Sequence, residues 1–161
     1  MYKVEVTYLI KEHSGSGWKG SWSRRLKDVK VTSRKAISIK DELIDCESKN
    51  SHRGWLDQSS KKTLYKATLQ YNTLLDDVIE IEAIFKVYND AVEPAISRDD
   101  NEVIKIRILS EAIDNFVAIV LEPLEFLMFK DIKIYKGDRE LPIKLISPAP
   151  FAWQDFLPLF K

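Results

Sequence analysis

A chain of 161 residues is close to the usual size of one folded domain, and it can bury a core without support from disulfides or metals. Hydrophobic residues make up 45% of it, charged residues make up 31%, and 25 Lys and Arg balance 25 Asp and Glu. This composition excludes an intrinsically disordered chain. We therefore predict a single globular domain over residues 1–161.

The sequence also restricts where the protein works. Its first ten residues, MYKVEVTYLI, mix charged with apolar residues and lack the pattern of a signal peptide. The longest apolar run, Phe116 to Leu121, stops at Glu122 and Pro123, well short of a membrane span. Cys46 is the only cysteine, which excludes an intrachain disulfide and a multi-thiolate zinc site. We predict a cytoplasmic protein without a membrane segment, a metal or a cofactor.

Charge is distributed unevenly along the chain. Residues 1–66 carry 15 basic and 8 acidic side chains, a net charge of +7, whereas residues 67–161 carry 10 and 17, a net charge of −7. Such an asymmetry can create a basic and an acidic surface, but the two segments cancel if they interleave in the fold. We expect interleaving in a single domain.

The first predicted strand covers Tyr2 to Ile10, where large apolar residues alternate with charged or polar ones. A loop is predicted over His13 to Ser23, because three Gly and four Ser in SGSGWKGSWS favour turns. Leu26, Val29 and Val31 then indicate a second strand that contains an irregularity.

The segment from Ser33 to Lys49 is ambiguous. Its apolar residues partly fit one face of a helix, while Ala36 to Ile39 also fit a strand. We predict a short helix from Ile39 to Glu47. The polar segment Asn50 to Lys62 contains Gly54 and is predicted to be a loop.

The strand signals strengthen after Thr63, where segments rich in β-branched and aromatic residues follow one another. Ile79, Ile81 and Ala83 alternate with acidic residues, which indicates a half-buried antiparallel strand. Ser110 to Asn115 is predicted to be a short helical turn or a connection. The predicted strands of this part are Leu64 to Tyr71, Val78 to Tyr88, Val103 to Leu109, Val117 to Leu121, Phe126 to Tyr135 and Leu141 to Ile146.

The C-terminal third contains the clearest local motif. Two apolar segments flank Gly137 and Asp138 and predict a hairpin within Asp131 to Ile146. The tail SPAPFAWQDFLPLF combines three Pro with large apolar residues, which disfavours a central strand or a long helix. We expect this tail to pack against the core, and an exposed anchor for a partner is the alternative.

About eight strands with short loops and one short helix predict a mainly β protein. The architecture is an antiparallel β-sandwich or a strongly bent sheet, and α+β is the alternative.

The two predicted loops contain the candidate binding residues. Aromatic and cationic side chains alternate there on a Gly and Ser scaffold, which suits stacking and phosphate contacts. If both loops lie at one end of the sheet, they form one basic, aromatic surface. The alternative is that the tryptophans only cover the core. The candidate residues are Trp18, Lys19, Trp22, Arg24, Arg25, His52, Arg53 and Trp55.

No catalytic pattern is present. The chain lacks GxSxG, HExxH, Walker A and GxGxxG motifs. The acidic group Asp99, Asp100 and Glu102 does not have the spacing of a calcium loop, so we predict no metal site. Cys46 and His52 are the remaining option for a nucleophile and its base, and sequence proximity alone does not place them in contact. We therefore predict no catalytic residues.

These observations favour a non-enzymatic binding module that recognises a protein partner, in the manner of a small inhibitor, immunity or accessory protein. A nucleic-acid-binding module that uses the loop tryptophans and arginines is the alternative. A Cys-dependent enzyme is the third hypothesis. The sequence does not determine the oligomeric state.

Overall fold

The structure, a computed structural model, describes residues 1–17, 20–53, 56–73, 75–89, 96–97, 101–112, 116–120 and 126–146. Within these ranges the chain forms eleven strands and no helix, and all of the strands belong to one sheet. The strands are β1 (Tyr2–Gly17), β2 (Gly20–Ser33), β3 (Ser38–Arg53), β4 (Leu56–Tyr71), β5 (Asp77–Asn89), β6 (Ile96–Ser97), β7 (Glu102–Ala112), β8 (Phe116–Val120), β9 (Leu127–Lys136), β10 (Arg139–Leu141) and β11 (Ile143–Ile146).

The first strand organises the sheet. One edge of β1 pairs with β4 from Tyr2 to Ser16. Its other edge pairs with β9 from Tyr2 to Ile10 and then with β2 from His13 to Gly17. The sheet continues from β2 through β5, β7 and β8 to β11. Because β9 and β2 share one edge of β1, they must diverge, and the sheet curls into an open half-barrel.

The core lies inside this curl. Val4, Val6, Tyr8 and Ile10 of β1 are fully buried, as the alternation in the sequence predicts. The inward faces of β5 and β7 complete the core with mostly β-branched side chains, namely Ile79, Ile81, Ala83, Phe85, Ile106 and Ile108.

Three β-bulges interrupt the ladders between the described strands, and the same short sequence pattern marks each. The extra residues are Lys27 in β2, Ile44 in β3 and Lys130 in β9. Each is followed by an Asp whose Oδ1 accepts the N–H of the next residue, at 2.8 to 2.9 Å. The three sequences are LKDV, LIDC and FKDI. The carboxylate thus satisfies a backbone donor where the ladder is irregular.

Two of the bulges lie at the same level of the sheet. Leu43 pairs with Tyr65, Tyr65 with Tyr8, and Tyr8 with Phe129. The bulges of β3 and β9 immediately follow the two ends of this row. Because a bulge bends its strand and increases the local twist, the four strands bend along one line.

The prediction of a mainly β, strongly bent sheet is confirmed. The irregularity in the second strand is the bulge at Lys27. The predicted hairpin is confirmed in part. β9 and β10 pair on either side of the turn that contains Gly137, whose φ is 59°. Of the predicted second arm, Leu141 to Ile146, only Leu141 pairs with β9, because Ile143–Ile146 form β11 beside β8. The ladders are antiparallel except that β11 and β8 are parallel.

The predicted helix from Ile39 to Glu47 is wrong, since this segment belongs to β3, and the α+β alternative fails with it among the described residues. The bulge explains the error. It shifts the alternation, so that Ile39, Leu43 and Cys46 share one face of β3 by their pairing with β4. Their spacing of four and three residues imitates a helix.

The predicted loops at His13 to Ser23 and Asn50 to Lys62 are largely strands. β1 and β2 extend to Gly17 and Gly20, and β3 and β4 extend to Arg53 and Leu56. Cross-strand contacts support these polar ends, and the Ser14 and Ser59 hydroxyls are hydrogen-bonded to each other. Pairing between long neighbouring strands therefore outweighs local turn propensity.

Ser110 to Ala112 continue β7 and are not helical. The rest of that predicted turn and the C-terminal tail from Ser147 lie outside the described residues. None of the described segments forms a helix with the length and hydrophobicity that a membrane span requires.

Gly137 provides a test of the hairpin. A Cβ at this position would meet no atom within 4 Å, so a substitution changes only the backbone energy. The left-handed conformation disfavours most L-residues, and Asn tolerates it better than Ala. We expect Gly137→Ala to lower the free energy of unfolding by about 1 kcal/mol and Gly137→Asn to lower it by less. Urea denaturation measures both, and equal stability of all three proteins would contradict the expectation.

Candidate functional site

The strand register brings the two predicted binding loops to the same end of the sheet. Ser16 of β1 pairs with Asp57 of β4, directly beside the ends of both hairpins. Trp22, His52 and Arg53 belong to strands by their backbone. Trp18, Lys19 and Trp55 lie outside the described residues. The proposed common surface of these side chains stays a prediction.

Arg24 is held by contacts within the protein. Its Nη2 lies 2.8 Å from Oε2 of Glu102, and its Nε donates to the same oxygen at 2.9 Å. Its guanidinium also lies 3.9 Å from the centroid of the Phe126 ring. This geometry joins an ion pair to a cation–π contact. Arg24 therefore connects β2 to β7 and to the start of β9, whereas Arg25 is exposed.

The acidic groups noted in the sequence do not form a metal centre in the described part of the chain, where no group of three or more potential ligands is found. Asp99 and Asp100 lie outside that part. Glu102 is paired with Arg24, and Glu80 with Lys105 and Arg107. Glu80 and Glu102 thus both have partners within the protein.

The Cys46 and His52 pair is separated by the backbone. Both residues belong to β3, six positions apart. At about 3.3 Å per residue in an extended strand, their Cα atoms lie roughly 20 Å apart. This backbone separation is too large for a hydrogen-bonded pair, so the hypothesis of a catalytic dyad fails.

The clearest candidate binding surface lies at the start of β3 and was not predicted from the sequence. Ile37, Ile39, Leu43 and Ile44 expose 51%, 40%, 61% and 49% of their surface. We call these four residues the β3 apolar surface. β3 pairs only with β4 among the described strands, so the surface lies at an edge of the sheet. Reading the segment as a strand would have placed Ile39 and Leu43 on one face, but their exposure depends on the position of β3 in the sheet.

A hydrogen bond fixes β3 beneath this surface. The buried Tyr8 donates its hydroxyl to Oδ2 of Asp41 at 2.5 Å, reaching across β4. The ring of Tyr65 stacks on Tyr8 with centroids 5.4 Å apart. Burial raises the pKa of the Tyr8 hydroxyl most, and the hydrogen bond and charge of Asp41 raise it further. Partial burial of the Asp41 carboxyl raises the pKa of Asp41. Tyr8 therefore stays protonated and serves as a donor.

A second polar cluster lies at the open end of the β3–β4 hairpin, where β4 ends at Tyr71. The buried carboxylate of Asp77 accepts hydrogen bonds from Ser33, from the Tyr71 hydroxyl at 2.9 Å and from the Arg34 N–H at 3.1 Å. Burial alone would raise the pKa of Asp77, but these hydrogen bonds outweigh it and lower the pKa. The carboxylate joins the ends of β2 and β4 to the start of β5.

Comparisons of the chain with protein-family models, curated proteins and solved structures find no match. The β3 apolar surface and the adjacent ends of the β1–β2 and β3–β4 hairpins are therefore the candidate functional sites.

Asp77 makes stability dependent on acid pH. Its pKa is lower in the folded state than in the unfolded chain, so its contribution is complete above the unfolded pKa and is lost as pH falls through the folded pKa. We expect Asp77→Asn to cost about 2 kcal/mol at neutral pH. The difference from the wild type should shrink below about pH 4.

Urea denaturation at several pH values measures this effect. Asp76→Asn is the matched control, because the neighbouring Asp76 is exposed. A constant difference between Asp77→Asn and the wild type across the acid range would contradict the assigned role.

Proposed function

We propose that this chain is a non-enzymatic binding module that recognises a partner protein through the β3 apolar surface. The supporting observation is the concentration of exposed apolar side chains. Seven large hydrophobic residues are exposed in the described part of the chain, and four of them lie within positions 37–44. A local concentration of exposed apolar side chains is a feature of protein interaction sites.

The surroundings of the surface favour a specific contact. Charged side chains occupy the other face of β3, with Lys40 and Glu42 joined at 3.2 Å and Lys49 and Glu47 at 3.4 Å, so Ile39 and Leu43 share a face without these charges. The hydrogen bond from Tyr8 to Asp41 holds β3 in place, which reduces the entropy that binding would cost.

We propose this class of partner for two reasons. The apolar surface is small, and the described residues contain no group of side chains arranged for catalysis. A small module with one apolar edge suits an inhibitor, immunity or accessory protein. The thiol of Cys46 is free and exposed. A free thiol of this kind persists in a reducing compartment, so we place the protein in the cytoplasm.

Substitution of Leu43 tests this proposal. We expect Leu43→Lys to weaken capture of the partner about tenfold or more, because a charge would replace the most exposed apolar contact. The measurement is affinity capture from cells that express the native chain, followed by titration of the purified partner.

Val103→Lys is the matched control, since Val103 is 44% exposed on β7. Circular dichroism checks that both variants fold. Equal capture by the wild type and Leu43→Lys would exclude the β3 apolar surface as the binding site.

Nucleic-acid binding is the second candidate, and the arrangement of the strands favours it. β3, β4, β1 and β2 are consecutive neighbours in the sheet, so the strands of the basic segment 1–66 lie side by side, and β9 of the acidic segment borders only the first half of β1. The two hairpins also end side by side, where Ser16 pairs with Asp57. In this alternative Trp18, Trp22 and Arg53 would contact bases and phosphates.

Salt dependence distinguishes this candidate. We expect affinity for a single-stranded oligonucleotide to fall steeply with added salt, because phosphate contacts release counterions. Trp18→Ala with Trp22→Ala should weaken binding about tenfold or more, through lost stacking. Fluorescence anisotropy measures both effects. An affinity that changes neither with salt nor with the two substitutions would exclude nucleic-acid binding at this surface.

A further inference from the structure

The outer edge of β3 carries backbone groups that no described strand pairs. Unpaired edges of this kind can accept another strand, and bulges and charges limit such pairing. The bulge at Ile44 divides the edge into two parts. The part from Ser38 to Leu43 keeps a continuous register with β4 and carries two residues of the β3 apolar surface.

We propose that β3 pairs antiparallel with β3 of a second copy of this chain, in the register that places Asp41 opposite Asp41 of that copy. This inference rests on the proposed function, because it assigns an occupant to the same surface. Two copies of one strand pair antiparallel around a two-fold axis. Residues that face each other across an antiparallel ladder point to the same side of the sheet. One residue must therefore lie opposite its own copy.

Four registers are available around the centre of this segment, and the charges distinguish them. Centring on Lys40 or on Glu42 places like charges opposite each other and pairs no opposite charges. Centring on Ile39 places Lys40 opposite Ser38 and leaves its charge unmatched. Only the register centred on Asp41 places Lys40 opposite Glu42 of the copy.

The same register also matches the apolar residues. Ile39 lies opposite Leu43 of the copy, and the two-fold axis repeats this pair. Both residues share the face of Tyr65 and Leu69, by their pairing with β4. Lys40 and Glu42 lie on the other face, where they already contact each other at 3.2 Å within one strand. In the dimer, four alternating charges would form one network.

One feature of this register opposes association. The two Asp41 side chains face each other on the apolar side, and like charges directly opposite are unfavourable in a ladder. Each carboxylate accepts a hydrogen bond from its own Tyr8, which keeps it at this position. Asp41→Asn removes the repulsion and retains an oxygen acceptor for Tyr8, so it should strengthen the dimer.

Sedimentation equilibrium of the full chain over a range of concentrations tests the proposal. We expect reversible dimerisation of the wild type and about tenfold tighter association for Asp41→Asn. Lys40→Glu and Glu42→Lys should each weaken self-association about tenfold, because each creates two like-charge pairs in the dimer.

An equimolar mixture of the Lys40→Glu and Glu42→Lys chains gives the sharpest result. In a mixed dimer, position 40 of one chain faces position 42 of the other with opposite charge at both pairs. We expect the mixture to associate at least as tightly as the wild type, although each variant alone is weakened. Val103→Lys should leave association unchanged.

A wild-type chain that stays monomeric at every concentration overturns the proposal, as does a mixture that associates no better than its components. If the chain stays monomeric while Leu43→Lys abolishes capture of another protein, the proposed function stands and the second copy is excluded. If charge complementation is observed and no other protein is captured, the dimer stands and recognition of a different protein is excluded.

Discussion

The fold depends on the length of β1, because β1 is long enough to pair with two different strands along one edge. β9 pairs with its first half and β2 with its second, and Lys11 donates its N–H to the carbonyl of Phe126 at 2.9 Å where the partner changes. Phe126 fills the fork between the diverging strands. His13, Phe85 and Arg24 all contact its ring. The sheet must curl at this fork, and the curl encloses the core.

The bulges allow the long strands to follow this curl, because a curled sheet requires each strand to change its twist along its length. Each bulge leaves a backbone donor out of the regular ladder, and an Asp carboxylate accepts it. The bulge in β3 has a further consequence. It places Ile44 outside the alternation and divides the exposed edge, leaving a short regular segment that carries Ile39 and Leu43. The bulge at Ile44 therefore both bends β3 and sets the limits of the proposed binding surface.

The proposed function combines a rigid support with an apolar edge. Tyr8 is buried in the core, yet its hydroxyl reaches Asp41 on the edge strand. The core therefore positions a strand that would otherwise be held by β4 alone. Because the support is a buried aromatic side chain and not a flexible loop, the surface is prepared for a partner before contact.

The sequence by itself determined the β class, the buried face of β1 and the hairpin at Gly137, because alternation and turn residues are local signals. Only the tertiary structure decided the path of residues 38–53. There a bulge gave Ile39, Leu43 and Cys46 a helical spacing, and pairing with β4 selected a strand. The exposure of Leu43 likewise depends on β3 lying at an edge, which strand order decides. Edges and forks arise from long-range pairing, and no local pattern encodes them.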